Sequence, residues 1–152
     1  KFLRGDDILN ISATDVFFEY DKEKYIDYIK NKYSIVFGFK KKDKIILNPE
    51  YYGWIKFDKN FDVKKVSCKI PISLNPQNDY AVVGSFSFPS AEIFIKNYKL
   101  IIQKKRLVNN EFYIDTIMDE ISRSSKLKLL TVNNYISWGT PVDYEKNKNF
   151  KI

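Results

Sequence analysis

The chain has 152 residues, 44% hydrophobic and 16% aromatic, and 26 Lys and Arg against 19 Asp and Glu give a formal charge of +7. That size and apolar content suit one compact domain over residues 1–152, and only five Gly and five Pro exclude a fibrous or low-complexity chain. The absence of histidine excludes imidazole bases, Ser-His-Asp and Cys-His nucleophiles and His-held zinc, leaving carboxylates, lysines, hydroxyls, backbone amides and a hard cation such as magnesium.

Asp7 to Ala13 (DILNISA) predicts a short strand, with Asp15 just beyond its carboxyl end. Asp21 can cap a helix from Lys22 to about Asn31, and Ser34 to Phe39 (SIVFGF) is an apolar β-type run. Strand, helix, strand in that order predicts a parallel pair joined by a crossover helix. The run Lys40-Lys41-Lys42-Asp43-Lys44 reads as solvated surface. Tyr52 to Phe57 and Phe61 to Lys69 predict a hairpin around Asp58-Lys59-Asn60, and the proline-bearing Ile70 to Gln77 reads as a loop.

Tyr80 to Phe88 (YAVVGSFSF) is almost wholly apolar or small, as in a strand covered on both faces, and Gly84 at its centre is costly unless something needs the space. Ser90 opens a helix to about Lys104 with Ala91, Phe94, Ile95, Tyr98, Ile101 and Ile102 as its inner stripe. Asn110 is expected to cap the next helix, which runs to about Ile121 with Asp119 and Glu120 facing solvent. Leu127 to Val132 and Tyr135 to Ser137 are late β-type segments. Thr140 and Pro141 fit the cap and first position of a last helix, and Lys146 onward is expected to fray. The fold class is therefore α/β, with a mixed, mostly parallel sheet flanked by helices and carrying a β-hairpin.

Asp15 stands where open α/β sheets bind ligands, and a carboxylate there can hold a divalent metal; a solvated loop aspartate would read the same way. Lys69, at the end of a β-type segment, can reach a phosphate as a mobile point charge, although lysine is common throughout the chain. Glu111 and Asp115 lie one helical turn apart. The first suits ordinary helix-start electrostatics, and the second is flanked by buried-type isoleucines and could orient a sugar hydroxyl or a metal-bound water. Cys68 has no histidine partner and reads as packing.

Taken in order, ILNISATD, YYGWIKFDKNFDVKKVSCKIPIS, YAVVGSFSF, NNEFYIDTIMDEI and YISWGTPVDY resemble the sugar-phosphate nucleotidyltransferase family of capsule and surface-glycan biosynthesis. The resemblance covers almost the whole chain and implies a partial Rossmann-like, GT-A-like domain. It implies nucleotidyl transfer from an NTP to a sugar 1-phosphate with magnesium and release of pyrophosphate. It further implies that Asp15 is the metal-binding and catalytic aspartate and that Lys69 contacts the sugar phosphate. Gly84, Glu111, Asp115, Gly139 and Thr140 would then belong to the substrate pocket.

The sequence also departs from that family. Cys68 stands where many relatives have a glutamate, and Ile70 separates Lys69 from Pro71. Ser137 occupies the place of a second metal-binding aspartate, for which Asp143 or Asp115 could compensate. Gly5, Gly38, Gly53, Gly84 and Gly139 are scattered and make no triphosphate-cradling nest. The expectation is thus the carboxyl-terminal part of such a domain, inactive as this isolated chain. A non-catalytic sugar-phosphate or NDP-sugar module and a nucleotide-sugar-dependent glycosyltransferase fragment stay open, as does a homo-oligomer. A small phosphate such as choline phosphate is an alternative acceptor. No nucleic-acid partner is expected, since no basic face with stacking groups is evident. With one Cys, no apolar run of roughly eighteen residues and no leader-like start, the cytoplasm is the expected location.

Overall fold

The computed structural model describes residues 3–40, 48–124 and 126–151. Among these, seven strands form one mixed sheet flanked by four α-helices. In chain order they are β1 (Leu9–Ser12), β2 (Val16–Tyr20), α1 (Lys22–Lys30), β3 (Ser34–Phe39), β4 (Trp54–Phe57) and β5 (Val63–Ser67). There follow β6 (Tyr80–Phe88), α2 (Ala91–Gln103), α3 (Ile114–Ser122), β7 (Leu127–Ser137) and α4 (Pro141–Asn147). Of the lysine run, Lys41 to Lys44 fall outside the described residues.

The sheet order is β2-β7-β3-β6-β4-β5, with β1 also on β6. The expectation of a mostly parallel sheet is corrected here: only β3 and β7 pair in parallel, and the other pairings are antiparallel. The expected crossover pair, β1 and β3, do run the same way but never touch, because β6 lies between them. An apolar strand pattern carries no information on which neighbour it meets, and the long β6 outcompetes the local partner. β2 escaped the sequence reading. VFFEY is β-branched and aromatic, and its place directly after Asp15 disguised it as loop.

All six residues of β3 are buried, so alternate side chains feed two cores. Val36 joins Val82, Phe86, Phe88, Ile101, Ile117, Met118, Leu127 and Leu129 on the face covered by α2 and α3. Ile35, Phe37 and Phe39 point the other way, into Tyr28, Ile29, Trp54, Val83 and Leu130 beneath α1. On α2 the expected inner stripe is only partly inner. Ala91 and Ile101 are buried, whereas Ile95, Tyr98 and Ile102 are exposed, because one narrow arc of the helix meets the sheet.

Helix α3 starts later than expected. Tyr113 precedes it without a side-chain cap, and Asn109 and Asn110 instead adopt left-handed backbone at φ 50° and 62°, a conformation Asn tolerates better than most residues. Glu111 therefore lies in a turn bridged to Val108, ahead of the helix, and Asp115 is the acid in its first turn. Asp119 and Glu120 are corrected too. Asp119 is buried, accepts the Val66 amide at 3.2 Å and pairs with Arg106 at 2.7 Å, while Glu120 takes Lys104 at 2.6 Å and Arg106 at 3.0 Å. An arginine remote in sequence pulled these acids inward, which helical periodicity could not show.

Substituting Asp119→Ala strands the buried Val66 N–H and leaves the Arg106 guanidinium with Glu120 alone. We expect a loss of about 3 kcal/mol in unfolding free energy, read from urea denaturation at neutral pH.

Candidate active site

The carboxyl ends of β1, β3 and β7 lie toward the same end of the sheet, since β1 and β3 both run antiparallel to β6 and β7 runs parallel to β3. The upper edge of β6 is shared there. β1 leaves it where the Ala13 amide donates to the Gly84 carbonyl at 2.9 Å, and the chain returns where the Val82 amide donates to the Gly53 carbonyl at 2.8 Å, just ahead of β4. The two contacts thus fall on Gly84 and Val82 of β6, separated by about 7 Å of strand. Gly84 has φ +88°, which only glycine adopts without strain, and a Cβ there would press on Ala13 at 3.2 Å. Its bare backbone serves the hand-over between strands, a local reason that sequence alone did not reveal.

Asp15, released at this hand-over, is seated against the Gly-Thr-Pro turn. Its carbonyl accepts the Trp138 amide at 2.8 Å, and a Cβ on Gly139 would meet its Oδ2 at 2.6 Å and the Ser137 hydroxyl at 3.4 Å. Asp15, Ser137 and Gly139 therefore make one corner, and a side chain at 139 would make the exposed Asp15 carboxylate swing aside. Thr140 caps α4 as the sequence led us to expect, accepting the Asp143 amide at 3.1 Å and donating to its carboxylate at 2.8 Å. The tail does not fray at once after Lys146. Asn147 donates to the Ser137 carbonyl and accepts from the Trp138 indole, and Phe150 packs on Phe17.

A cavity of about 570 Å³ opens beside this corner. Phe39 and Tyr135, stacked at 3.9 Å, and Tyr52 supply aromatic walls; Asn133, Ser137, Asp143, Lys40 and Lys146 supply polar ones. Burial, with the charges of Asp15 and Asp143 and the neighbouring Tyr52, pushes the Tyr135 phenol up to about 12, so it stays a hydrogen-bonding hydroxyl at neutral pH. Burial and then Asp143 also raise Tyr52. Of the two residues that could offset the neutral Ser137, Asp143 is the one in this cavity.

Asp115 belongs to a second cluster. A Cβ on Gly53 would come within 2.6 Å of Asp115 Oδ1, an enclosed atom with no hydrogen-bond partner among the described residues. Burial pushes this carboxyl up to about 6, partly opposed by the Cys68 thiol and by Lys69. Burial and then the Asp115 charge lift the Cys68 thiol to about 12, in keeping with a packing role and no nucleophilic one. Lys69 sits at φ 59° with its ammonium 4.8 Å from the Tyr113 ring centre, while the Tyr113 hydroxyl donates to Glu111. Hydrogen bonding to Tyr113, then its charge and those of Cys68 and Glu111, hold Lys69 above the ordinary lysine range against some desolvation.

The predicted residues therefore fall into two groups: Asp15, Gly84, Gly139 and Thr140 around the β1 exit, and Lys69, Glu111 and Asp115 around the β4 entry. Tyr52 links them, because its carbonyl accepts the Lys69 amide at 3.1 Å while its ring lines the cavity. Asp15, Lys69 and Gly84 are not among the residues that line that cavity. Sequence reasoning overlooked Tyr52, Gly53, Tyr135 and the cavity itself. The Tyr-Tyr-Gly step ahead of a strand was the available signal.

No protein-family model matches the chain. Among solved structures it is similar to a nucleoside-diphosphate-sugar pyrophosphorylase from Vibrio cholerae RC9, with a TM-score of 0.67 and 17% identity over 91% of this chain. The match takes in 55% of that protein, so the chain spans about half its length. The likeness is one of fold alone: the two chains share an α/β arrangement. No helix among the described residues is long and apolar enough to cross a membrane.

The raised Asp115 carboxyl gives a pH signature. The folded chain holds its proton up to about 6, against an ordinary value of 3.8, so ionisation disfavours the folded state. Its contribution falls as pH rises from 3.8 through about 6 and is flat above. Asp115→Asn should remove this fall, so that the variant gains on the wild type across that window by at most about 3 kcal/mol. Urea midpoints measured at intervals from acid to neutral pH check it.

Proposed function

We propose that the chain is part of a sugar-phosphate nucleotidyltransferase, Rossmann-like and GT-A-like in layout, acting in the synthesis of surface-glycan precursors. It would join a nucleotidyl group from an NTP to a sugar 1-phosphate. The observation that carries this reading is the Asp15 carboxylate lying beside Gly139 and Ser137 at the strand ends, next to a ring-walled cavity. The nucleotidyltransferase-like fold supports it.

In the reaction a sugar-phosphate oxygen attacks the α-phosphorus. The bond from that phosphorus to the bridging oxygen breaks, and the electron pair leaves with pyrophosphate. Positioning and neutralisation of phosphoryl charge would supply the catalysis. Lys69 would meet the sugar phosphate as a fully charged ammonium. Glu111 from the surface and Asp115 from beneath Gly53 would be the sugar-facing carboxylates, with Gly84, Gly139 and Thr140 shaping the walls. The stacked Phe39 and Tyr135 offer a flat apolar face to a ring.

Magnesium suits the oxygen donors here only in company with substrate. No three Asp, Glu, His or Cys side chains converge among the described residues, so Asp15 would hold the ion together with phosphate and water oxygens. When bound, it would neutralise developing phosphoryl charge. The same sparse donor set favours a second reading, a non-catalytic module that binds sugar phosphates or NDP-sugars.

Calorimetry of this chain with glucose 1-phosphate and magnesium should show saturable binding, weakened about tenfold or more in Asp15→Asn and in Lys69→Ala. Pyrophosphate release from an NTP is expected from the longest native polypeptide that contains these residues and not from the 152-residue chain alone. Binding without release in that polypeptide would select the second reading. Absence of both would end the proposal.

A further inference from the structure

At the opposite end of the sheet lies another cleft, of about 370 Å³, lined by Lys32, Ser34, Ile93, Lys96, Asn97, Ile121, Ser124 and Lys126. It sits at the amino ends of the parallel pair. Ser34 opens β3 and its amide donates to the Lys126 carbonyl at 2.9 Å, immediately before β7. Lys96 and Asn97 reach it from the middle of α2, and Lys32 from the turn after α1. Three lysines thus line one concavity, and no carboxylate is among its lining residues.

Ordinary helix-end electrostatics do not account for them. Cations gather near helix carboxyl ends to meet unpaired carbonyls. Here most of the last carbonyls of α1 and α3 are already occupied. Asp27, Ile29 and Tyr28 accept the amides of Asn31, Lys32 and Tyr33, while Glu120 and Ile121 accept those of Arg123 and Ser124. Among the described residues Lys32, Lys96 and Lys126 form no salt bridge, and the contact found for Lys126 is the Tyr33 ring face at 4.9 Å. Gathering three like charges is unfavourable until an anion enters. The floor adds direction: Ser34 is 1% exposed, a buried hydroxyl at the base, and Ile121 is buried beside it.

We propose that this cleft binds the phosphate group of a small phosphate monoester. The dianion would be held by Lys32, Lys96 and Lys126, with the second amide hydrogen of Asn97 and the Ser34 hydroxyl completing its hydrogen bonds. The organic body would lie over Ile93 and Ile121. The site is separate from the Asp15 end of the sheet and does not depend on the reaction proposed there.

The test is an NMR titration of the labelled chain with glycerol 3-phosphate and with inorganic phosphate, against sodium chloride at matched ionic strength. Saturable amide shifts at Ser34, Ile93, Asn97 and Ile121 are expected with both phosphates and not with chloride. Replacing two exposed lysines, Lys32→Gln with Lys96→Gln, should weaken the affinity about tenfold or more, whereas Asp15→Asn should leave it unchanged. Shifts that never saturate, that scatter over the lysine-rich surface, or that survive the double substitution would overturn the proposal. Failure of glucose 1-phosphate to bind at the Asp15 end would leave it standing.

Discussion

The arrangement depends on how one edge of β6 is divided. β1 covers its carboxyl-terminal half, β4 covers its amino-terminal tip, and the left-handed turn of backbone at Gly84 lets the first strand peel away. On the other edge β3 runs the whole length of β6 and is itself buried on both faces. A rigid, doubly covered pair therefore presents one edge that changes partner within three residues. Two chain segments must leave the sheet there, and each takes a carboxylate with it: Asp15 behind β1, and Asp115 through its contact with Gly53 ahead of β4.

The two carboxylates then meet different surroundings, and their chemistry separates. Asp15 has a hydroxyl, a glycine and an aromatic cavity for neighbours. Asp115 is covered by Gly53 with a thiol at its side, and its proton affinity rises because burial of the carboxyl, whose Oδ1 is enclosed, disfavours its charge. Cys68 answers in kind, since a buried thiol facing a carboxylate has little reason to ionise. Residues of one formal type thus occupy unlike places, one at an open corner and one in a dry seam.

Much of this was legible in the residues. The bounds of β3 and β6 follow from unbroken apolar runs, and the starts of α1 and α4 follow from Asp21 and Thr140, whose side chains do accept the expected amides. The seat of Asp15 at a strand end and the special need at Gly84 were also readable. What escaped were long-range choices. Nothing local tells β1 to pair with β6, Arg106 to recruit Asp119, or Asn110 to turn left-handed and leave α3 uncapped. The cavity was invisible for the same reason, because Phe39, Tyr52 and Tyr135 come from separate strands and segments and meet only after the sheet has formed.

The last helix has a mechanical meaning. Trp138 bonds through its amide to Asp15 and through its indole to Asn147, while Asn147 reaches back to Ser137 and Phe150 rests on both Phe17 and Trp138. α4 is consequently a latch on the loop that bears Asp15. Lifting its far end would tug the aspartate's own main chain through a single intervening tryptophan, so the corner's rigidity is borrowed from a short helix touching the sheet at few points.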